Sequence, residues 1–456
     1  MIISNNIKIA PIGRLFLGIL FVVSIYLYIS APDIYNHSFC VNCFIVFIMS
    51  AGILLSNNIK KYKTMVLFET LFVITFFFTN YVYPIFLYFD NPYFSLFAFS
   101  FSENIISKST ALATVGICSY SFAQYETRDD VTDLPLTKPS ISKVSAIEVV
   151  LLFILLLLYT YKALPALIDG SSYSKGAGLF RVFAIFLCFK RIYNHDISHP
   201  LIRDIAFWSI IAVYIIINLL VGNRGDPLFV IMAIFISYEL FIHHISYKIF
   251  IPFVILGLAI FFVIGEARGG DSGSMLQKVA QVEKVSTDDT GGILMYGEQL
   301  IINNRSLYVL VDYADKNGLN FGQTWQMYLY SIIPFLQSFM IKFFDIPLES
   351  YASIFLTTYL EFGKDSPDAF GLGTNLIGDI YLCFGLIGVV IGMYLLGYIV
   401  RYNYILSKNS TTSSIIYICL FTISVYYTRA SLFEPSQLII WSLILYKLTF
   451  KNNKLL

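Results

Sequence analysis

Charge is what this sequence has least of. Of its 456 residues only 13% are Asp, Glu, Lys or Arg, whereas 57% are hydrophobic and 17% aromatic. Soluble domains carry about 25% charged residues. A soluble chain this long could not cover its surface with so few charges, which excludes a cytosolic enzyme, a nucleic-acid binder and a disordered scaffold. Net charge is scarce too: 30 basic against 29 acidic residues leave +1. No global field steers an acidic partner, so any basic function depends on local placement. Cysteine offers no framework. All six (Cys40, Cys43, Cys118, Cys188, Cys383 and Cys419) lie in apolar runs, and the C-x-x-C pair at Cys40 and Cys43 has no second pair. They read as small buried hydrophobes. No period of about 20–50 residues repeats, which excludes a solenoid.

What the sequence does have is apolar runs of about the 20 residues that cross a bilayer. Twelve are found, at 12–31, 38–56, 65–89, 104–125, 144–161, 177–190, 202–221, 227–243, 249–266, 373–400, 413–428 and 435–449. They predict an all-α polytopic membrane protein with about 12 transmembrane helices (11–14). The first run is too long for a signal peptide and lacks a small-residue cleavage site, so it reads as a retained span. The chain divides into a membrane bundle at 1–266, a long connection at 267–372, and a second set of membrane helices at 373–456. With the N-terminus inside, seventeen Lys and Arg fall on cytoplasmic segments. Five (Lys162, Lys175, Arg181, Arg224 and Arg429) fall on the short outer ones. That asymmetry places both termini in the cytoplasm. The long connection is then outside. It holds a polar stretch from Asp271 to Gly292 and two amphipathic pieces, Trp325 to Phe344 and Tyr351 to Phe362. So long a connection is expected to be a functional cap, its amphipathic pieces lying in the interface or re-entering the membrane.

The outer basic residues run against the usual bias, and most are arginines at membrane ends. Arg181 opens the sixth run. Arg224 sits in the turn Gly222-Asn223-Arg224-Gly225-Asp226, and Arg429 in Tyr427-Thr428-Arg429. Arg268 and Arg305 lie in the long connection. Arginine keeps its charge in a low dielectric, and its planar fork grips phosphate oxygens in pairs. Five such residues from five segments on one face point to an anionic, amphipathic ligand. The alternative is that they snorkel, or bind lipid headgroups or carboxylates within the fold.

Carboxylates on the same side could act as a general base. They include Asp226, Glu266, Glu298, Asp379 and Glu434. Asp379 lies inside an apolar run, where a carboxylate is costly and a functional candidate by default. The plainer alternatives are a salt bridge from Asp379 to one of the arginines, and a pairing of Glu434 with Arg429. Of the five histidines, only His37 falls outside and none lies in the long connection, which disfavours a mechanism that needs a loop imidazole. No group of acidic residues and histidines has the spacing of a metal site.

These residues resemble a known family. Gly222-Asn223-Arg224-Gly225-Asp226, followed by a span, is similar to the G-x-R-G-D element of oligosaccharide repeat-unit polymerases, the Wzy-type O-antigen polymerases. The stretch from Gly371 to Gly388, with Asp379, Tyr381 and a Phe384-Gly385 turn, resembles their late Gly-rich signature. Tyr427-Thr428-Arg429 resembles their late arginine loop. Asp379 stands where many relatives carry Glu. The firm motifs lie between about 222 and 434, while the architecture is similar over nearly the whole chain.

The resemblance implies a GT-C-like fold in a bacterial inner membrane, with the active site facing the periplasm. The substrates would be glycans on undecaprenyl diphosphate, and the lipid diphosphate would be the leaving group. Arg224, Arg268 and Arg429, with Arg181 and Arg305, would stabilise its charge in place of a metal. Asp379, Asp226 or Glu434 would take the acceptor proton, and Tyr381 would contact sugar. No cofactor is implied. The partners implied are the lipid bilayer, a chain-length regulator and a flippase, with no nucleic acid. Competing readings are a polysaccharide lipid flippase, an O-antigen ligase-like enzyme, which would use a loop histidine, and a metal-dependent lipid-phosphate sugar transferase.

Overall fold

Each of the twelve apolar runs contains a helix in the computed structural model. It describes residues 9–88, 104–126, 141–169, 178–195, 204–269, 298–333, 336–344, 353, 355 and 373–450. The first nine helices are α1 (Ile9–Ile29), α2 (His37–Tyr62), α3 (Phe68–Asn80), α4 (Ile105–Glu126), α5 (Ala146–Asp169), α6 (Gly178–Tyr193), α7 (Ile205–Leu220), α8 (Gly225–Phe241) and α9 (Tyr247–Gly269). In the long connection follow α10 (Asn303–Asn317) and α11 (Leu336–Phe344). The chain closes with α12 (Leu376–Leu406), α13 (Thr411–Ile423) and α14 (Ser436–Phe450). No strand occurs among the described residues.

The helices are apolar on their outward faces as well as in their core. Outward faces are apolar: Ile12, Leu15, Ile19, Val22 and Tyr26 on α1, and Ile387, Ile391, Leu395 and Tyr402 on α12, are exposed. Inward positions hold Ser24, Ser50, Asn58, Thr110 and Thr114, all buried. Only a hydrocarbon solvent makes that arrangement favourable. Four helices (Ile12–Ile29, His37–Tyr62, Ala146–Pro165 and Leu376–Leu406) are long and apolar enough to cross a membrane. The chain is an all-α membrane protein. The six cysteines are free and buried, as their apolar surroundings predict.

Contacts between distant helix ends fix which ends lie together. At one end Asn375 reaches Asn80 (3.0 Å) and Tyr28 reaches Tyr381 (2.9 Å). At the other, Arg401 donates to Asn58 (3.0 Å) and Lys190 to Glu148 (2.6 Å). Glu69, also buried there, faces Gln124 and Arg401. This second end was not expected to hold a buried charge cluster, because single charges at the ends of long apolar runs do not stand out. One group of helices (α1, α2, α4 and α12) packs side by side, and a second forms around α6, α8, α13 and α14. Within the first group a Cβ on Gly397 would lie 2.6 Å from the Tyr120 carbonyl oxygen. Only glycine lets α4 and α12 approach so closely.

α12 is not continuous. Phe384 (φ −140°, ψ 15°) and Gly385 (φ 63°, ψ −156°) break it after its first eight residues. The freed carbonyls of Leu382 and Cys383 accept hydrogen bonds from the backbone amides of Asn320 (2.9 Å) and Phe321 (3.2 Å). The long connection therefore satisfies the break, as buried backbone requires. Its first amphipathic piece resolves into a turn at Gln323–Trp325, a short helix at Gln326–Tyr330, and α11. Trp325 meets Phe433, and Ser331 accepts from Gln437 at the start of α14, so this stretch lies across the ends of α12 and α14. The polar stretch 271–292 and nearly all of 351–362 lie outside the described residues.

Gly385 occupies a backbone region open essentially to glycine. Gly385→Ala is expected to cost about 1–3 kcal/mol. The thermal midpoint of the detergent-purified protein should fall accordingly, and an unchanged midpoint would refute the broken-helix geometry.

Candidate functional site

The turn before α8 is built by hydrogen bonds that its own asparagines make. Gly222 takes φ 74°, and the amide of Asn223 donates to the Asn218 carbonyl (2.8 Å). The Asn223 side chain then donates to Asn218 Oδ1 (2.9 Å) and to Asp226 Oδ2 (2.9 Å). Tyr159 also donates to Asn218 Oδ1 (2.6 Å), which ties the turn to α5. Arg224 is thereby set at the N-terminus of α8, an end that favours anions.

Arg181, from the first turn of α6, pairs with Asp226 at 2.9 Å and lies 5.1 Å over the Phe229 ring. Phe229 packs edge-on against Tyr426 (5.8 Å), and Arg429 lies 5.7 Å over the Tyr426 ring. Two aromatic rings thus bridge Arg181 and Arg429, drawn from α6 and the turn after α13. Burial lowers the pKa of Arg429, Tyr426 raises it, and the charge of Arg224 lowers it. Arg224 and Arg429 therefore lie close enough to repel. Arginine remains a cation under such pressure, so an anion between the two would relieve it.

The Arg429 turn is clamped from the other side. The Thr374 amide donates to the Arg429 carbonyl (3.1 Å). Gly373 has φ 76°, and a Cβ there would lie 3.1 Å from that same carbonyl oxygen and 3.4 Å from Arg429 Nε. The Thr374 carbonyl accepts from Asn303 at the start of α10 (3.1 Å), which brings the long connection to the same junction.

Asp379 lies next to this turn, in the first turn of α12 below its Asn375 cap. It is fully buried. Its carboxylate accepts from Thr324 Oγ1 (3.1 Å), Trp325 Nε1 (2.7 Å) and Ser431 Oγ (2.8 Å). Thr324 and Trp325 come from the long connection and Ser431 from the arginine turn, so one carboxylate joins the two. The three side-chain donors are uncharged, where the sequence had suggested an arginine as the structural partner. In this geometry Asp379 is shielded from solvent and links the long connection to the arginine turn.

Among the carboxylates singled out from the sequence, Asp226 is held by Arg181 and Asn223, whereas Glu434 is exposed on the arginine turn. Arg305 is buried on α10, two residues beyond Asn303. Arg268 ends α9, and its side chain lies outside the described residues, as do those of Glu266 and Glu298. Tyr381 belongs to a separate cluster on the opposite face of the broken helix, where it donates to Asp315 (2.8 Å). Sequence reasoning missed Thr324, Trp325, Ser431 and Tyr426, none of which is charged or part of a conspicuous pattern. Among the described residues no three His, Cys, Asp or Glu side chains gather as a metal site would require.

No protein-family model matches the chain. No match to a curated protein or to a solved structure is found either.

Asp379→Asn replaces one acceptor oxygen with a donor that faces other donors. It is expected to cost about 1–3 kcal/mol, and to expose the 318–325 stretch to protease. A variant with wild-type thermal stability and protease resistance would refute the tether.

Proposed function

We propose that this chain is a glycosyltransferase that polymerises undecaprenyl-diphosphate-linked repeat units into O-antigen or a related surface polysaccharide. It would do so at the outer face of a bacterial inner membrane, with twelve spans and both termini in the cytoplasm. One observation carries the reading: Arg181, Arg224 and Arg429, remote in sequence, converge at one end of an apolar bundle. The motif resemblance of Gly222 to Asp226 and of Gly371 to Gly388 supports it.

In this mechanism the donor's bond between the anomeric carbon and the phosphate oxygen breaks, and its electrons leave on the lipid diphosphate. The acceptor hydroxyl oxygen forms the new bond to that carbon, and its proton passes to a carboxylate. Glu434 is the exposed candidate for that proton. Charge grows on the diphosphate as the bond breaks, so Arg224 and Arg429 stabilise the transition state more than the ground state. Arg181, pinned by Asp226 and stacked on Phe229, supports the same face.

The test is to delete the gene and examine surface lipopolysaccharide on a gel. Glycan stopping at one repeat supports the reading. Complete absence of glycan would point to a flippase, and unattached polymer to a ligase. In the complemented strain, Arg224→Lys and Arg429→Lys are expected to lose nearly as much polymer as the alanine variants, because an ammonium cannot replace the planar fork. Full-length polymer from either lysine variant would rule out paired phosphate binding.

A further inference from the structure

A second polar cluster lies at the same end of the bundle, across the broken helix from Asp379. It draws one residue from each of four elements: Tyr28 (α1), Lys108 (α4), Asp315 (α10) and Tyr381 (α12). Lys108 Nζ meets Asp315 Oδ2 at 2.5 Å, and Tyr381 donates to Asp315 Oδ1 at 2.8 Å. The phenol oxygens of Tyr28 and Tyr381 are 2.9 Å apart. Lys108 lies 5.7 and 5.8 Å from the two ring centroids. Lys108 and Asp315 each keep 30% of their side-chain surface open.

An exposed ion pair contributes only about 0–1 kcal/mol to stability, so fastening α10 is a weak reason for such an arrangement. The chemistry left over is more informative. Lys108 has three donors and spends one on Asp315. Each Asp315 oxygen keeps a further lone pair, and the Tyr28 hydroxyl, whose one proton goes to Tyr381, can still accept. Open donors and acceptors therefore alternate around two aromatic rings. Vicinal hydroxyls of a sugar, each both donor and acceptor on a ring with apolar C–H faces, complement that pattern; a phosphate, which only accepts, does not suit the carboxylate. Tyr381 and Asp379 are two residues apart on one short helix, so they project to opposite faces. The same rigid piece then lies between this cluster and the arginine turn.

We propose that Tyr28, Lys108, Asp315 and Tyr381 form a saccharide-binding subsite, distinct from the arginine site, that holds the hydroxyl-bearing part of a glycan. The assignment of that glycan as the acceptor repeat unit rests on the polymerase reading; saccharide binding itself does not.

The experiment uses the full chain in detergent and saturation-transfer NMR with free galactose-, glucose- and N-acetylglucosamine-containing disaccharides. Wild-type protein is expected to show transfer from at least one disaccharide. Lys108→Met and Asp315→Asn should weaken it about tenfold, the loss of a hydrogen bond to a charged group. Tyr28→Phe, which removes a single hydroxyl, guards against misfolding and should weaken it less, with an unchanged thermal midpoint. Arg224→Ala should leave it intact. No transfer with wild type, or transfer that survives Lys108→Met and Asp315→Asn, overturns the proposal. Wild-type protein that binds saccharide through these residues while its gene proves dispensable for polymer length would overturn the polymerase reading and leave this subsite standing.

Discussion

A carboxylate removed wholly from water must be supplied with hydrogen-bond donors, and one end of this protein's helical bundle is organised around that requirement at Asp379. Burying the charge unpaired would be prohibitive. Three side-chain donors meet it, and they come from two segments about one hundred residues apart, Thr324 and Trp325 on one side and Ser431 on the other. Satisfying Asp379 therefore fixes the long connection against the arginine turn. The break in α12 works in the same direction. Once Phe384 and Gly385 leave the helix, the carbonyls of Leu382 and Cys383 need amides, and Asn320 and Phe321 are the residues that supply them. Four hydrogen bonds to one short helix are donated by the stretch 320–325.

The sequence revealed the parts of this structure that follow from hydrocarbon solvation. Apolar runs predict helices because a spanning segment must satisfy its own backbone, and each run does hold a helix. It also revealed the arginines, because charge is so sparse here that a cation at a membrane end stands out. Gathering Arg181, Arg224 and Arg429 needed only the assumption that all face one side. Their neighbours Phe229 and Tyr426 were hidden among 42 phenylalanines and 33 tyrosines.

Other features were illegible for definite reasons. The partners of Asp379 are ordinary threonine, tryptophan and serine, and no spacing rule links residue 324 to residue 431. Lys108 lay inside an apolar run and was absorbed into a span, while Asp315 lay in a connection whose docking could not be inferred. The salt bridge between them closes a separation of 207 residues. The expectation that Asp379 serves as a base came from its apolar setting alone. Burial alone does not reveal the donors that surround the carboxylate, and only the folded structure displays them.

The two polar clusters also differ in a way that bears on how a reaction could be divided between them. The arginine site is a concentration of positive charge in which Asp226 is paired with Arg181 and held by the Asn223 amide. It is suited to a group whose negative charge increases. The Lys108–Asp315 cluster is balanced in charge and rich in hydroxyls, and is suited to a neutral polyol. An eight-residue helix separates them, held at one end by the Asn375 cap and at the other by the amides of Asn320 and Phe321. Its rigidity matters because a transfer between two bound reactants gains most when they are fixed relative to each other rather than held tightly one at a time. A flexible loop in that place would let each site bind and still lose the alignment. The short helix, tethered through Asp379 on one face and Tyr381 on the other, provides the fixed separation that such a reaction would need.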